Sequence, residues 1–142
     1  SRSVVGGELP WGLVKVSGTA ESVASDEDPG YDIGWPADPV VSGEDYAVRS
    51  NGSVLVFKIT NLTPGNEYEL SFVGSRSKGS GRSLKITIGT ESQSMDVTQN
   101  STGTLDFTAV AESEGQIIFE FTQDDSIGPW GYLSAVFIKG EL

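Results

Sequence analysis

Large apolar residues occupy every second position in seven separate stretches between residues 55 and 137. Turn residues such as Pro64-Gly65, the run 79–81 and Glu114-Gly115 separate these stretches. A period of two residues puts alternate side chains on opposite faces of a strand, so each stretch predicts a half-buried β-strand. We assign to the core the series Leu55/Phe57/Ile59, Tyr68/Leu70/Phe72, Leu84/Ile86/Ile88, Met95/Val97, Leu105/Phe107/Ala109, Ile117/Phe119/Phe121 and Leu133/Ala135/Phe137.

The strand pattern predicts the fold class. Residues 13–20 and 45–49 also resemble strands, and no window shows the 3.6-residue apolar repeat of an amphipathic helix. Eight or nine short strands in 142 residues predict an all-β, antiparallel β-sandwich, with a jelly roll as the leading version. Residues 24–40 are acidic and lack periodicity, which predicts a long ordered loop. We expect residues 1–142 to form a single jelly-roll module excised from a larger exported protein.

The composition argues against several kinds of partner and chemistry. The chain has 20 acidic residues against 9 Lys and Arg, and its net charge of -11 argues against nucleic acid and anionic membranes as partners. It contains neither cysteine nor histidine, which excludes thiolate nucleophiles, zinc–thiolate sites and a Ser-His dyad. With most familiar catalytic groups absent, we predict that the chain is not an enzyme.

Five short motifs follow one another in an order that resembles a known kind of module. They are Leu62-Thr63-Pro64, Tyr68 to Phe72, Ser75-Arg76, Asn100-Ser101 and Tyr132-Leu133. This order resembles the bacterial jelly-roll, carbohydrate-binding-type accessory module attached to secreted glycoside hydrolases, polysaccharide lyases and SGNH-type esterases, over roughly residues 50–140. The resemblance implies a non-catalytic carbohydrate-binding module that targets an appended catalytic domain to a polysaccharide or oligosaccharide. It also implies an extracellular or cell-surface location in bacteria.

The aromatic residues indicate where a sugar would bind. Sugar rings pack on aromatic faces, yet with the core series above, the solvent-facing strand positions carry no aromatic residue. The tryptophans Trp11, Trp35 and Trp130 instead lie in loop-like contexts, which points to a site on the loop rim. Each tryptophan has the alternative interpretation of a plug on the open end of the core. We expect Trp130 to be the most exposed, because Tyr132 and Leu133 already supply the following strand.

The number of strands between two loops predicts whether these loops lie at the same end of the sandwich, and we call this the parity argument. In an antiparallel sandwich of consecutive strands, successive connections fall at opposite ends. If the Pro64-Gly65 turn marks one end, the connections near 75–82, 99–100 and 124–130 share the other. The predicted ligand contacts are Trp130, Arg76, Arg82, Asn100 and Asp125 on this rim, together with Trp35 and Tyr31 from the long loop.

Two groups of charged residues on the predicted rim have two interpretations each. Arg76, Lys78 and Arg82 form either a clamp for a carboxylated or sulfated sugar or an ordinary solvated turn. Asp124 and Asp125, with the acidic residues of 26–38, form either a calcium site or a solvated acidic rim. Because no calcium-binding loop motif is present, we expect no cofactor, with calcium as the alternative.

Three functions from different classes remain. The first is the carbohydrate-binding module, and the second is a structural or adhesive β-sandwich that packs against a catalytic partner without its own glycan ligand. The third is an enzyme with two carboxyl groups about 5 to 9 Å apart across a glycosidic bond. Exposed tryptophans favour the first function, and buried tryptophans or a flat apolar patch favour the second. The absence of a deep-cleft signature argues against the third.

Overall fold

The computed structural model describes residues 12–18, 22–24, 45–49, 54–74, 80–98, 100 and 103–139. This part of the chain contains strands and turns but no helix, which confirms the predicted all-β class. None of its segments is therefore a helix that could span a membrane. The strands are β1 Gly12–Ser17, β2 Ser22–Ala24, β3 Asp45–Arg49, β4 Leu55–Thr60, β5 Glu67–Val73, β6 Arg82–Ile88, β7 Glu91–Asp96, β8 Leu105–Val110, β9 Ile117–Thr122, β10 Trp130–Leu133 and β11 Ala135–Lys139.

Two sheets pack face to face. The larger sheet has the order β1-β4-β9-β6-β10-β3-β2, with β7 also paired to β6, and the smaller has the order β11-β5-β8. Phe72 of the smaller sheet meets Phe119 of the larger one edge to face, with ring centroids 4.8 Å apart. Phe119 in turn stacks on Phe57 at 5.2 Å. These aromatic contacts between the inner faces confirm the predicted antiparallel β-sandwich.

The final strand differs from its prediction because it belongs to both sheets. β10 pairs with β3 and β6 in the larger sheet, whereas β11 pairs with β5 in the smaller one. Ser134 separates the two strands, and its amide donates a 2.7 Å hydrogen bond to the carbonyl of Val73. The structure therefore divides this segment into two strands and adds the short strand β2 to the predicted set.

The core consists largely of the predicted apolar series. Several residues of these series are fully buried, among them Leu55, Phe57, Ile59, Leu70, Phe72, Phe119 and Phe121. Leu84 and Ile86 of β6 are also fully buried, and Ile88 and Met95 pack against the core while remaining partly exposed. The period-two pattern thus identified the buried face of those strands whose other face is exposed to solvent.

The predicted core face of the last strand is wrong. Val136 lies opposite Phe72 and Ile138 opposite Leu70, so these two residues face the core. Phe137 lies opposite Ser71, on the outer face of the smaller sheet, although it is fully buried. The expectation of no aromatic residue on an outer strand face is therefore also wrong. The pattern failed here because a strand that is covered on both faces shows no alternation.

Candidate functional site

The connections between strands divide between the two ends of the sandwich. At one end, the amide of Leu62 donates to the carbonyl of Gly115 and the amide of Gly65 donates to that of Ala111, both at 3.0 Å. We call this end, formed by residues 61–66, 89–90 and 111–116, the turn rim. Its connections are short, as the parity argument predicts.

The opposite end, formed by residues 74, 80–82, 97, 98, 100 and 123–130, is the loop rim. Asn100 hydrogen-bonds the carbonyl of Gly74 at the end of β5, and Gly128 lies against Gly81 just before β6. The structure thus brings four of the predicted site residues to one rim, as parity predicts: Arg82, Asn100, Asp125 and Trp130. Their contact with a ligand stays a prediction. Trp35, Arg76 and Tyr31 lie outside the described residues, as do Trp11 and the segment 25–40.

The glycines around Pro129-Trp130 allow β10 to enter the sheet. A Cβ atom on Gly128 would lie 1.7 Å from the carbonyl oxygen of Gly81, so only glycine fits there. A Cβ atom on Gly131 would lie 2.9 Å from Cβ of Gln123. These close approaches let β10 pair in parallel with β6 beyond the end of β9, with Trp130 opposite Arg82. Residues paired in this way point to the same face of a sheet, so Trp130 and Arg82 are neighbours.

Arg82, Trp130 and Tyr132 form a cluster at the loop rim, which we call the Arg82 cluster. Cζ of Arg82 lies 5.8 Å from the ring centroid of Trp130 and 5.9 Å from that of Tyr132. The two ring centroids are 6.4 Å apart and the rings are inclined by 24°. Trp130 is partly buried and packs against the core, so it combines the predicted plug with a face toward the rim. Tyr132 was missing from the predicted site, although its two-residue spacing from Trp130 was a usable signal.

Among the described residues, the guanidinium of Arg82 lies over the rings of Trp130 and Tyr132. Its Nε atom is buried without a hydrogen-bond acceptor. No carboxylate among the described residues forms an ion pair with this guanidinium. An ion pair that the described residues do contain lies on the smaller sheet, where Nζ of Lys139 is 3.9 Å from a carboxylate oxygen of Glu69. A cation over aromatic faces gains electrostatic attraction but keeps its N–H donors available. Arg82 therefore carries unused hydrogen-bonding capacity.

Asn100 has a positioning function within the protein. Its Nδ2 donates to the carbonyls of Gly74 (3.0 Å) and Gly103 (2.9 Å), and its Oδ1 accepts a 2.8 Å bond from the amide of Gly103. These bonds fasten the β7–β8 connection to the end of β5. Because they engage both ends of the amide, the structure gives Asn100 a role in shaping the rim, and its predicted ligand contact remains untested.

Asp124 organises the loop before β10. Its Oδ1 accepts from the amide (2.9 Å) and hydroxyl (2.6 Å) of Ser126, and its Oδ2 accepts from the hydroxyl of Ser94 (2.6 Å). These bonds, those from the Ser126 and Ser94 hydroxyls first, lower the pKa of Asp124 below its ordinary value of 3.8. The neighbouring Asp125 accepts a 3.2 Å bond from Gln123. The described residues contain no group of three or more acidic side chains arranged around a metal position, and calcium binding stays untested.

A groove on the outer face of the smaller sheet is a second candidate, which the sequence did not reveal. Its volume is about 300 Å³, and it is lined by Glu69, Leu70, Ser71, Thr104, Asp106, Phe107 and Thr108. Oδ1 of Asp106 accepts hydroxyl bonds from Ser71 (2.6 Å) and Thr104 (2.8 Å). The signal available in the sequence was the row of outward-facing polar residues on two paired strands. The same pattern occurs on any strand face that is exposed to solvent, so it does not by itself indicate a groove.

Comparison with known proteins gives a distant structural likeness. No protein-family description and no curated protein sequence matches the chain. The exo-β-1,3-galactanase of Phanerochaete chrysosporium, solved with β-1,3-galactotriose, matches 97% of this chain with 11% identity and a TM-score of 0.48. The enzymatically active domain of tailspike protein 4 from bacteriophage CBA120 matches 93% with 14% identity and a TM-score of 0.42. This chain spans 27% and 19% of the two neighbours, respectively.

These neighbours bear on the prediction that the chain is not an enzyme. One is a galactanase and the other is described as enzymatically active, so the prediction is contradicted and we withdraw it. At these TM-scores and identities, the likeness assigns no reaction to this chain. The function has to be argued from the residues of the site.

Proposed function

We propose that the loop rim binds an oligosaccharide or polysaccharide at the Arg82 cluster. The observation that carries the proposal is a partly buried tryptophan beside an arginine with unused donors, at the rim where the loops gather. Saccharide sites combine apolar ring faces, which pack on sugar C–H groups, with a few fixed polar groups that bond the hydroxyls. Trp130 supplies the first element and Arg82 supplies the second, whereas Tyr132, at 9% exposure, belongs to the core beneath them.

The other surfaces offer a poorer combination of groups. At the turn rim, the main-chain bonds between the connections use the polar groups of the turns themselves. The groove of the smaller sheet has hydroxyls and carboxylates, but its aromatic lining residue, Phe107, is only 4% exposed. The loop rim is the described region where aromatic and polar groups occur together.

The wider setting of the proposal comes from the five ordered motifs in the sequence. They support a module that directs an appended catalytic domain of an exported bacterial protein to its polysaccharide, outside the cell or at its surface. The net charge of -11 disfavours nucleic acid and anionic membranes as partners. The proposal concerns binding alone and includes no reaction.

A glycan array with neutral, uronic and sulfated saccharides, run with and without calcium, tests this function. Trp130→Leu keeps apolar volume against the core but removes the flat ring, so we expect it to weaken binding by about 1 to 3 kcal/mol. Asp106→Asn is the matched control in the groove and should bind as the parent does. Melting curves of both variants show whether the fold survives.

The possible outcomes separate the candidate functions. If Asp106→Asn abolishes binding while Trp130→Leu does not, the groove is the site and the proposal for the loop rim is wrong. If the parent chain binds no saccharide on the array, the structural or adhesive sandwich replaces it.

A further inference from the structure

Within the part of the chain that the structure describes, Arg82 has no carboxylate as a counter-ion, although the chain is rich in acidic residues. The chain has 20 acidic residues against 9 basic ones, yet among the described residues the Arg82 guanidinium contacts only aromatic rings. Asp96 lies on the neighbouring strand opposite Ser83, but its Oδ1 accepts a 2.8 Å bond from the amide of Thr98. Asp125 is bonded to Gln123. Both carboxylates thus have other partners, and no carboxylate of the described residues forms an ion pair with Arg82.

Such an arrangement costs stability. A buried donor without an acceptor loses its hydration without gaining a bond, and the buried Nε of Arg82 is in this state. A methionine would fill similar space next to Trp130 without this penalty, because it has no N–H donor. The cost indicates that the charge serves the binding of something outside the described chain.

The shape of the guanidinium restricts what it can bind. Its planar fork matches the two oxygens of a carboxylate better than it matches a hydroxyl, and the pair is strong when water is partly excluded. Because Nε is buried, the terminal nitrogens Nη1 and Nη2 would make these bonds. The partly buried ring of Trp130 lies beside the fork, with its centroid 5.8 Å from Cζ of Arg82, and would supply apolar surface to a sugar ring that carries the acid.

The overall charge restricts the ligand further. A net charge of -11 repels a densely charged polyanion over distances comparable to the Debye length, about 10 Å at 0.1 M salt. A saccharide with one isolated acidic group avoids most of this repulsion and still reaches Arg82. The expected ligand is therefore sparsely charged.

We propose that Arg82 receives the oxyanion of an acidic sugar residue, so that the loop rim selects saccharides bearing a single uronate over neutral ones and over dense polyanions. This inference rests on the proposed saccharide-binding function and names its ligand class. A sulfate ester can also bond the fork through two oxygens, but it is a much weaker base and hydrogen-bond acceptor than a carboxylate, so uronate should bind more tightly.

The experiment compares the full chain with Arg82→Gln, Arg82→Lys and the control Lys58→Gln. The control removes the same charge from β4, where Lys58 lies opposite Ile118 and away from the loop rim. The probes are array glycans in matched sets: a neutral oligosaccharide, the same oligosaccharide with one glucuronate or galacturonate, its sulfated counterpart, and polygalacturonate. We expect Arg82→Gln to weaken the uronate-bearing members by about ten- to a hundredfold, with little change for the neutral ones. Arg82→Lys should recover part of the loss, and Lys58→Gln should behave as the parent chain.

A second measurement does not depend on a variant that folds. The Nε–H proton of Arg82 can be followed by NMR in the unmodified chain while methyl glucuronoside, methyl glucoside or sodium sulfate is added. Methyl glucuronoside should shift this signal, because carboxylate bonding at Nη1 and Nη2 changes the charge around the guanidinium, and methyl glucoside should not.

The outcomes distinguish this inference from the function on which it rests. Equal binding of neutral and uronate-bearing glycans, unchanged by Arg82→Gln, overturns the inference and leaves saccharide binding intact. Tightest binding to polygalacturonate, or a stronger response to the sulfated probe, overturns the predicted ligand class. Failure to bind any glycan, together with an Nε–H signal that methyl glucuronoside does not move, overturns both.

Discussion

At the turn rim, main chain bonds to main chain: the amide of Leu62 donates to Gly115 and that of Ala111 donates to Asn66. At the loop rim, main-chain bonds such as that from the amide of Val97 to the carbonyl of Arg82 are joined by several bonds from side chains to the main chain. Asn100 bonds Gly74 and Gly103, and the hydroxyl of Ser83 accepts a bond from the amide of Asp124. Both ends of the sandwich thus use main-chain bonds, and the loop rim adds more side-chain bonds than the turn rim.

This difference explains why the two rims suit different tasks. Main-chain closure depends little on side-chain identity and uses up the polar groups of the turns. Side-chain closure depends on a few particular residues and permits longer connections, which bring unlike side chains such as Arg82 and Trp130 together. Binding residues in proteins concentrate on loops that a rigid scaffold positions, and the loop rim has this arrangement.

The largest effect should come from Gly128→Ala at the loop rim. The added Cβ would meet the Gly81 backbone at 1.7 Å, so the loop before β10 has to move. We expect a loss of about 3 kcal/mol in the free energy of unfolding. Gly89→Ala is the matched change at the turn rim, where φ is +61° and no atom lies within 4 Å of the new Cβ. Backbone strain alone should cost about 1 kcal/mol there; equal losses in urea titrations of the two variants would contradict the comparison.

Asn100→Ala should have the next largest effect. It removes three hydrogen bonds and leaves the partly buried main-chain groups of Gly74 and Gly103 without a partner, so we expect a loss of about 2 to 3 kcal/mol. The control is Gln116→Ala at the turn rim, whose side chain makes one long 3.5 Å bond to Glu112. The control should change stability by less than about 0.5 kcal/mol. If the two losses are alike, side chains do not hold the loop rim more than the turn rim.

Tyr68→Phe tests an exception at the turn rim. The phenol oxygen of Tyr68 accepts a 2.8 Å bond from the amide of Thr63, so one side chain does help to close this end. We expect its removal to cost about 1 kcal/mol by thermal or chemical unfolding. A loss as large as that of Asn100→Ala would show that both rims depend on side chains to the same degree.

The smallest effect concerns the pH dependence contributed by Asp124. Hydrogen bonds from Ser126 and Ser94 lower its pKa below 3.8 in the folded chain, so its ionised form contributes stability above pH 3.8. This contribution is lost as the pH falls through the lowered pKa. Because the carboxylate lies near solvent, the difference between the parent and Asp124→Asn should stay below about 0.5 kcal/mol.

An NMR titration of the Asp124 carboxyl carbon checks this assignment. Ser126→Ala should raise its pKa toward 3.8, because the Ser126 hydroxyl is the largest cause of the shift. An unchanged titration in that variant would contradict the role given to Ser126.

Most of the fold could be predicted from the sequence, because most strands have one buried face and one face exposed to solvent. The alternation of Phe57 with Lys58, or of Phe119 with Glu120, is set by the need to bury one residue and hydrate the next. The parity argument then located Arg82 and Trp130 at the same rim, since it needs only the number of strands. Neither inference required knowledge of tertiary contacts.

The rest depended on contacts that the sequence does not encode locally. Phe137 was assigned to the wrong face because β11 is covered on both sides. The parallel entry of β10 beside β6 follows from the meeting of Gly128 with Gly81, which are 47 positions apart. The uncompensated charge of Arg82 depends on where every carboxylate nearby is engaged. Such facts arise from packing in three dimensions and leave no periodic trace.

The division of the last segment at Ser134 has a consequence for how the chain folds. β10 lies between β6 and β3 in the larger sheet, and β11 is an edge strand of the smaller sheet. A single segment late in the chain therefore supplies a strand that each sheet needs to be complete. Its partners β3 and β5 lie far back in sequence, and such long-range pairings form slowly because a large loop must close first. We expect neither sheet to persist until this segment docks, so folding should be late and all-or-none. Hydrogen exchange should then show one opening free energy for the amides of β5 and β6, and two separate values would mean that the sheets unfold independently.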